Sequence, residues 1–343
     1  MLLILLALLL ALVLSLGVYL HIDKIKSNRI ATLILAKIPG GPGALDIVRQ
    51  PLVTSPLSFY QDPYATSSDP RKRAYVTILY NEAYIPGALL LGYSLRKHGM
   101  LDPSMAQNMV LLYLHERLSK KAVALLKESG WDTRAVDHIP HPPGRPPFGR
   151  FMDAYTKLRM FELEEFEQVF YMDADTLVLR PFPEIWLYPV PLAACRDVRK
   201  VQGWLKNING GILLLKPNRR LMQHMLEIAP VYEYNEMTAE QGLLDAYWAQ
   251  VVTILPYTYN GQLGIRRMFP EVWEVLSKHV KIIHYTSIKP WEWHAPSSTL
   301  MERKLWWDMW MEMEVDRRRQ GLKSLGDLGK ATRLGLERHS SDA

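Results

Sequence analysis

Residues 170–179 read Phe170-Tyr171-Met172-Asp173-Ala174-Asp175-Thr176-Leu177-Val178-Leu179, an apolar run that ends abruptly in two carboxylates. In extended chain, side chains at i and i+2 leave the same face, so Asp173 and Asp175 can reach one cation together. Two adjacent carboxylates repel each other and lose hydration when partly buried, so burial without a cation would be costly. Oxygen ligands favour Mn²⁺ or Mg²⁺, which take one or two carboxylates and complete their shell with phosphates and water. Surface turns often contain Asp-x-Asp, so the placement at the end of an apolar strand is what gives the pair weight.

Outward from this stretch, strand-like runs stand at 75–80, 109–114, 169–172, 212–215, 251–255 and 280–284. Helical patterns at 87–98 and 120–128 alternate with them, which predicts an open, mostly parallel α/β sheet. Ligands of such sheets bind beyond the carboxyl ends of the strands. His284 ends the 280–284 run, where an imidazole either completes a metal site or serves as a satisfied structural residue. Lys289, in Lys289-Pro290-Trp291, either faces a departing phosphate or is an ordinary surface lysine. Residues 138–149 (HIPHPPGRPPFG) cannot form regular structure, because proline removes backbone donors. They read equally as a lid or as a surface excursion. Residues 299–319 carry a helical stripe of Leu305, Trp306, Met309, Trp310 and Met313, suited to core packing or to a membrane surface.

The composition excludes several classes. Of 343 residues, 48% are apolar and 22% charged, enough for a real core. The net charge of +6 comes from scattered Lys and Arg, which argues against nucleic acid and suits an anionic ligand. Cys195 is the only cysteine, so neither an intramolecular disulfide nor a multi-thiolate zinc site can form. There is no Asn-x-Ser/Thr acceptor, no G-x-G-x-x-G after a strand, no G-x-x-x-x-G-K-[ST] and no G-x-S-x-G. The first absence weakens any reading that depends on a secretory lumen, and the three missing motifs speak against a dinucleotide oxidoreductase, a P-loop NTPase and an α/β-hydrolase.

Residues 1–20 carry no charge and are almost wholly Leu, Ala, Val and Ile, long enough as a helix to span a bilayer. They read as a transmembrane signal anchor; the competing reading is a cleaved signal peptide. Residues 21–73 read as a stem or linker, 74–315 as the compact folded domain and 316–343 as a basic polar tail. Lys24, Lys26 and Arg29 follow the span, and the positive-inside rule would then leave the domain on the cytosolic side.

Eight pieces, the opening stretch among them, stand in one order: A-Y-V-T-I-L-Y-N-E-A-Y (74–84), G-A-L-L-L-G-Y-S-L (87–95), T-K-L-R-M-F (156–161), F-Y-M-D-A-D-T-L-V-L (170–179), N-G-G-I-L-L-L-K-P (209–217), E-Q-G-L-L (240–244), L-P-Y-T-Y-N (255–260) and H-Y-T-S-I-K-P-W (284–291). Over residues 74–291 the chain resembles the glycogenin-like family 8 of retaining glycosyltransferases. The resemblance implies a GT-A (Rossmann-like) catalytic domain that moves a hexose from a UDP-sugar to an acceptor hydroxyl, using Mn²⁺ or Mg²⁺. It implies Asp173, Asp175 and His284 as metal ligands. It implies Thr77, Ile78, Asn81 and Tyr84 around the uridine, Lys289 on the diphosphate, and Lys157, Asn209, Gly211 and Gln241 around the donor sugar and the transfer site. Anchored members would place the domain in the Golgi lumen, against the charge rule. A homodimer is left open as a further partner.

Three departures from the family pattern bear on substrate. Residues 264–268 contain no tyrosine, so self-glucosylation is not implied. The family's Asp-Gln-Gly stands as Glu240-Gln241-Gly242, and an aspartate three positions earlier as Met237. Donor hexoses open to the chain are glucose, galactose, N-acetylglucosamine and glucuronic acid. Two other functions compete: a non-catalytic scaffold that binds nucleotide sugar or glycan, and a nucleotidyltransferase. The retained Asp pair, His284 and Lys289 oppose the first; the second would want a Gly-rich basic loop after the first strand, which 80–86 is not.

Overall fold

The computed structural model describes residues 54–101, 108–142, 151–189, 191–198, 207–286, 289–292 and 300–325. Its strands are β1 (Arg73–Leu79), β2 (Met109–Leu114), β3 (Asp132–Val136), β4 (Gln168–Met172), β5 (Thr176–Val178), β6 (Leu192–Arg196), β7 (Ile208–Leu215), β8 (Thr253–Leu255), β9 (Gly261–Gln262) and β10 (Ile282–His284). The α-helices are α1 (Ile85–Lys97), α2 (Lys120–Glu128), α3 (Arg219–Ile228), α4 (Ala239–Trp248), α5 (Leu263–Met268), α6 (Pro270–Leu276) and α7 (Leu300–Arg319).

Seven strands form one sheet in the order β3-β2-β1-β4-β7-β6-β8. Its β1–β2, β2–β3, β1–β4 and β6–β8 pairs are parallel. Strand β7 alone in this sheet runs against its neighbours β4 and β6. The mostly parallel α/β sheet expected from the alternation is therefore present, with one reversed strand near its middle. Strands β1, β4 and β7 are buried nearly end to end, because helices cover both faces of such a sheet. Tyr75, Phe170, Phe182 and Trp186 pack edge-on or tilted beneath it, with ring centroids 5.1 to 6.3 Å apart.

Reversal of β7 brings its beginning to the finish of β4. Met172 pairs with Ile212, and the Asp173 amide donates to the Gly211 carbonyl at 2.8 Å. Beyond the Asp-x-Asp turn the chain enters a second sheet, β5-β10-β9, where His284 lies opposite Thr176. Helix α1, which starts with Pro86 in its first turn, presses its backbone on the same turn. A Cβ added at Gly87 would stand 2.2 Å from the Ala174 carbonyl oxygen.

The structure moves two boundaries and adds strands. The end of the segment read as a stem is docked: Tyr60 donates to the Lys216 carbonyl at 2.9 Å, and Asn218 to the Phe59 carbonyl at 2.8 Å. Its anchors are too dispersed to show as periodicity. Helix α7 continues past residue 315, with Arg317 buried and paired to Glu128 at 2.6 Å. Trp306, Met309, Trp310 and Met313 pack inward, as core packing requires, whereas Leu305 is exposed. Strands β3, β5, β6 and β9 were not expected; β5 and β9 are short, β3 is polar and half-exposed, and β6 is a buried run of five residues. Among the described residues no helix is long and apolar enough to cross a membrane. Residues 1–20, read as an anchor, lie outside the described residues, as do 143–149 of the Pro-rich loop and 326–343 of the tail.

Gly87→Ala is expected to push α1 off the Asp-x-Asp turn, since the obstructing atom is backbone and cannot swing away. The overpacking should cost about 1–3 kcal/mol in urea unfolding. An unchanged midpoint would show that the helix is not seated this closely.

Candidate active site

The strand ends bring together residues that lie far apart in the chain. Asp173, Asp175 and His284 offer ligand atoms that all fall within 4.8 Å of one another. His284 Nε2 stands 3.2 Å from Asp175 Oδ1 and 3.8 Å from Asp173 Oδ2. The other ring nitrogen, Nδ1, meets Asn260 Oδ1 at 3.0 Å. Asp175 Oδ1 is buried and has no hydrogen-bond partner. A carboxylate oxygen left bare against an imidazole nitrogen is unfavourable in a dry site, and a divalent cation between them removes the conflict. The donor set of two carboxylates and one imidazole therefore fits a metal ion.

Two buried lysines hold the acids from either side. Lys157 Nζ lies 3.2 Å from Asp173 Oδ1 and 2.9 Å from Glu240 Oε1, and donates to the Gly210 carbonyl at 3.1 Å. Burial alone would lower the Lys157 ammonium, but Asp173 and then Glu240 outweigh it and raise its pKa. Lys289 donates to Asp175 Oδ2 and, at 2.9 Å, to the Tyr285 carbonyl. It is only 7% exposed, so the alternative of an ordinary surface lysine is wrong. Burial would raise the Asp175 carboxyl, yet the Lys289 ammonium outweighs it and holds the group below the usual carboxylate range. Burial pushes the Glu240 carboxyl up, opposed by Lys157.

The remaining expected residues divide into two sets. Gly211, Asn209 and Gln241 join the cluster. A Cβ on Gly211 would stand 2.2 Å from His284 Cε1, so only glycine lets β7 pass there. Asn209 Oδ1 accepts from the Gly211 amide at 3.1 Å, and Gln241 Oε1 from the Gly210 amide at 2.9 Å. Tyr84 reaches the cluster through its ring, 5.7 Å from the Lys289 ammonium. Thr77 and Ile78 are buried within β1, the Thr77 hydroxyl unpartnered. Asn81 is exposed and caps the following turn, accepting from the Ala83 amide at 3.0 Å.

Sequence reasoning missed five participants. Tyr171 donates to Asp173 Oδ1 at 2.6 Å; its i, i+2 spacing from Asp173 was a usable signal. The Tyr80 hydroxyl is buried without a partner, and burial pushes its pKa well up. Glu240 was noted only as a departure. Asn260 stood in a quoted motif without a role. Asp197, one residue past the unexpected β6, gave no signal at all, yet it accepts from Asn209 Nδ2 at 3.1 Å and faces Gln241 Nε2 at 3.4 Å.

Lys289→Met should cost about 3–5 kcal/mol at neutral pH in chelator, because it strands a buried carboxylate. In the wild type the Asp175 contribution is present above the ordinary carboxylate pKa of about 3.9 and fades as pH falls through its lowered folded value. In the variant, burial is opposed by His284 alone and that carboxyl rises. The deficit should therefore be largest near neutrality and narrow as pH falls toward 4. Denaturant unfolding across pH 4–8 checks this, and a pH-independent deficit would refute it.

The chain as a whole is similar to known proteins. The chain is 26% identical over 274 residues to inositol phosphorylceramide glucuronosyltransferase 1 of Arabidopsis thaliana, an alignment covering 73% of this chain and 45% of that protein. It is 27% identical over 224 residues to glycogenin of Neurospora crassa, covering 63% of this chain and 31% of that one. It thus spans less than half the length of these two relatives. The solved glycosyltransferase GlyE of Streptococcus pneumoniae TIGR4 shares the fold with a TM-score of 0.51 at 18% identity, over 73% of this chain and 65% of that chain. Residues 76–295, which hold nearly every side chain of the cluster, match the model described as glycosyl transferase family 8, and the chain belongs to that family.

Proposed function

We propose that this glycosyltransferase moves a hexose from a UDP-sugar to an acceptor hydroxyl with retention at the anomeric carbon, using a divalent cation held by Asp173, Asp175 and His284. The observation that carries the reading is the buried, unpartnered Asp175 Oδ1 facing His284 Nε2 at 3.2 Å, with Lys289 on the other oxygen of the same carboxylate. A bound cation would supply a Lewis acid where negative charge develops on the leaving diphosphate. The mixed carboxylate–imidazole set favours Mn²⁺ over Mg²⁺, which prefers oxygen and water alone.

The chain's own residues do the rest. Lys289 brings a fixed positive charge to the diphosphate side. Lys157, tied to Asp173, Glu240 and the Gly210 carbonyl, holds the floor of the donor-sugar side in place. Asn209 and Gln241, both on the Asp197 carboxylate, present a preorganised polar wall to the sugar hydroxyls. The end of β1, with Thr77 and Ile78, and the turn after it, with Asn81 and Tyr84, receive the uridine. The donor comes from glucose, galactose, N-acetylglucosamine or glucuronic acid, and residues 1–20 tether the enzyme to a membrane.

The test uses the full-length protein in mild detergent with Mn²⁺ and a panel of UDP- and GDP-sugars, scored by nucleotide release. Turnover is expected with a UDP-sugar alone. Asp173→Ala, Asp175→Ala or EDTA should each remove about 4 kcal/mol of transition-state stabilisation, on the order of a thousandfold in rate. Turnover undiminished by all three would reject the metal mechanism. Absence of turnover with every donor would reject the enzyme reading in favour of a scaffold.

A further inference from the structure

The Leu-Pro-Tyr-Thr-Tyr-Asn motif at 255–260 ends in an asparagine that none of the assigned roles uses. Asn260 is fully buried, at the end of the 3₁₀ turn Tyr257–Tyr259 and directly before β9. Because β9 pairs with β10 in parallel, Gln262 beside His284, the backbone delivers the Asn260 side chain to the far side of the imidazole. There its Oδ1 meets His284 Nδ1 at 3.0 Å, and its Nδ2 donates to Asn209 Oδ1 at 2.9 Å.

The direction of these bonds is set from the other end. An ionised carboxylate only accepts, so Asp197 Oδ1 requires the amide nitrogen of Asn209, at 3.1 Å. Asn209 must then turn its oxygen toward the Gly211 amide and Asn260. Asn260 must present nitrogen to Asn209, because the flipped amide would set two carbonyl oxygens 2.9 Å apart. That leaves Asn260 Oδ1 against His284, which can satisfy it only with a proton on Nδ1. In the neutral imidazole, the form that binds a metal, the lone pair then stands on Nε2, the nitrogen that faces Asp175 Oδ1.

We propose that Asn260 is a positioning residue of the metal group: it fixes the tautomer of His284 and transmits to it the polarity of a hydrogen-bond chain anchored at Asp197. The inference rests on the reading of Asp173, Asp175 and His284 as a metal group. It adds a consequence, since Asn209 and Gln241 share the Asp197 carboxylate. The sugar-side wall and the metal ligand are ordered by one set of bonds, so a change in one is felt in the other.

The experiment measures Mn²⁺ binding to the full-length protein without nucleotide, by electron paramagnetic resonance, and the His284 tautomer in the metal-free protein, by long-range ¹H–¹⁵N spectra. Asn260→Ala is expected to raise the Mn²⁺ Kd about ten- to a hundredfold. In a His284→Ala background the same change should add less than twofold, because Asn260 acts through His284. Unaltered affinity in Asn260→Ala, or an equal loss in both backgrounds, overturns the proposal. Should Asn260→Ala not fold, the wild-type spectra decide: a proton on Nδ1 supports the relay and an Nδ1 without a proton ends it. If His284→Ala itself leaves Mn²⁺ binding intact, the metal reading falls and the inference with it. If His284→Ala weakens binding and Asn260→Ala does not, the inference alone falls.

Discussion

Asp175 stands buried just past β4, with Asp173 partly exposed beside it, and the arrangement around the pair answers the cost of bringing two carboxylates together out of water. Carboxylates out of water are tolerable only when paired and fully hydrogen-bonded. Lys157 crosses to Asp173 from a 3₁₀ segment (Ala154–Glu162), and Lys289 reaches Asp175 from beyond β10. Glu240 adds a third acid on the Lys157 side. Three acidic side chains thus share two ammonium groups, and one carboxylate oxygen of Asp175 is left bare toward His284. A site with that imbalance has room in its charge balance for the proposed cation.

The sheet supplies the convergence. Parallel strands alone would have brought only carboxyl ends to this edge. Because β7 is reversed, its opening residues Asn209, Gly210 and Gly211 arrive beside the finish of β4. The second sheet folds back on the Asp-x-Asp turn and sets β10 antiparallel to β5, which lays His284 against Asp175. Tight approach is part of the same geometry: glycine at 87 admits α1 to the turn and glycine at 211 admits the imidazole. Each lacks a side chain where one would meet backbone or ring.

A second shell then converts position into orientation. Tyr171 donates to Asp173 Oδ1, leaving Oδ2 to face His284. Asn260 and Asn209 relay the acceptor character of Asp197 to the imidazole. Such outer bonds add little net stability one by one. Their effect lies in which lone pairs point inward, and that is what a metal ligand needs.

Much of this was legible in the chain. The apolar run into Asp173 and Asp175, the strand ending at His284 and the alternation of strands with helices are local patterns, and hydrophobic periodicity records them directly. The resemblance motifs marked Lys157, Asn209, Gly211, Gln241 and Lys289 as one site. The pattern failed where elements were short or half-polar, as in β3, β5 and β9, or where anchors were dispersed, as in the segment around Tyr60. It also left Asp197 unmarked, because an aspartate after an unremarkable strand carries no local signal. By itself the sequence determined the sheet type, the acidic strand end and the membership of the parts. Only the tertiary structure decided that Lys289 is buried, that β7 is reversed and that Asn260 backs His284. Those are contacts between residues 24 to 114 positions apart, and their energies depend on burial and bond direction, which exist only once the chain has closed on itself.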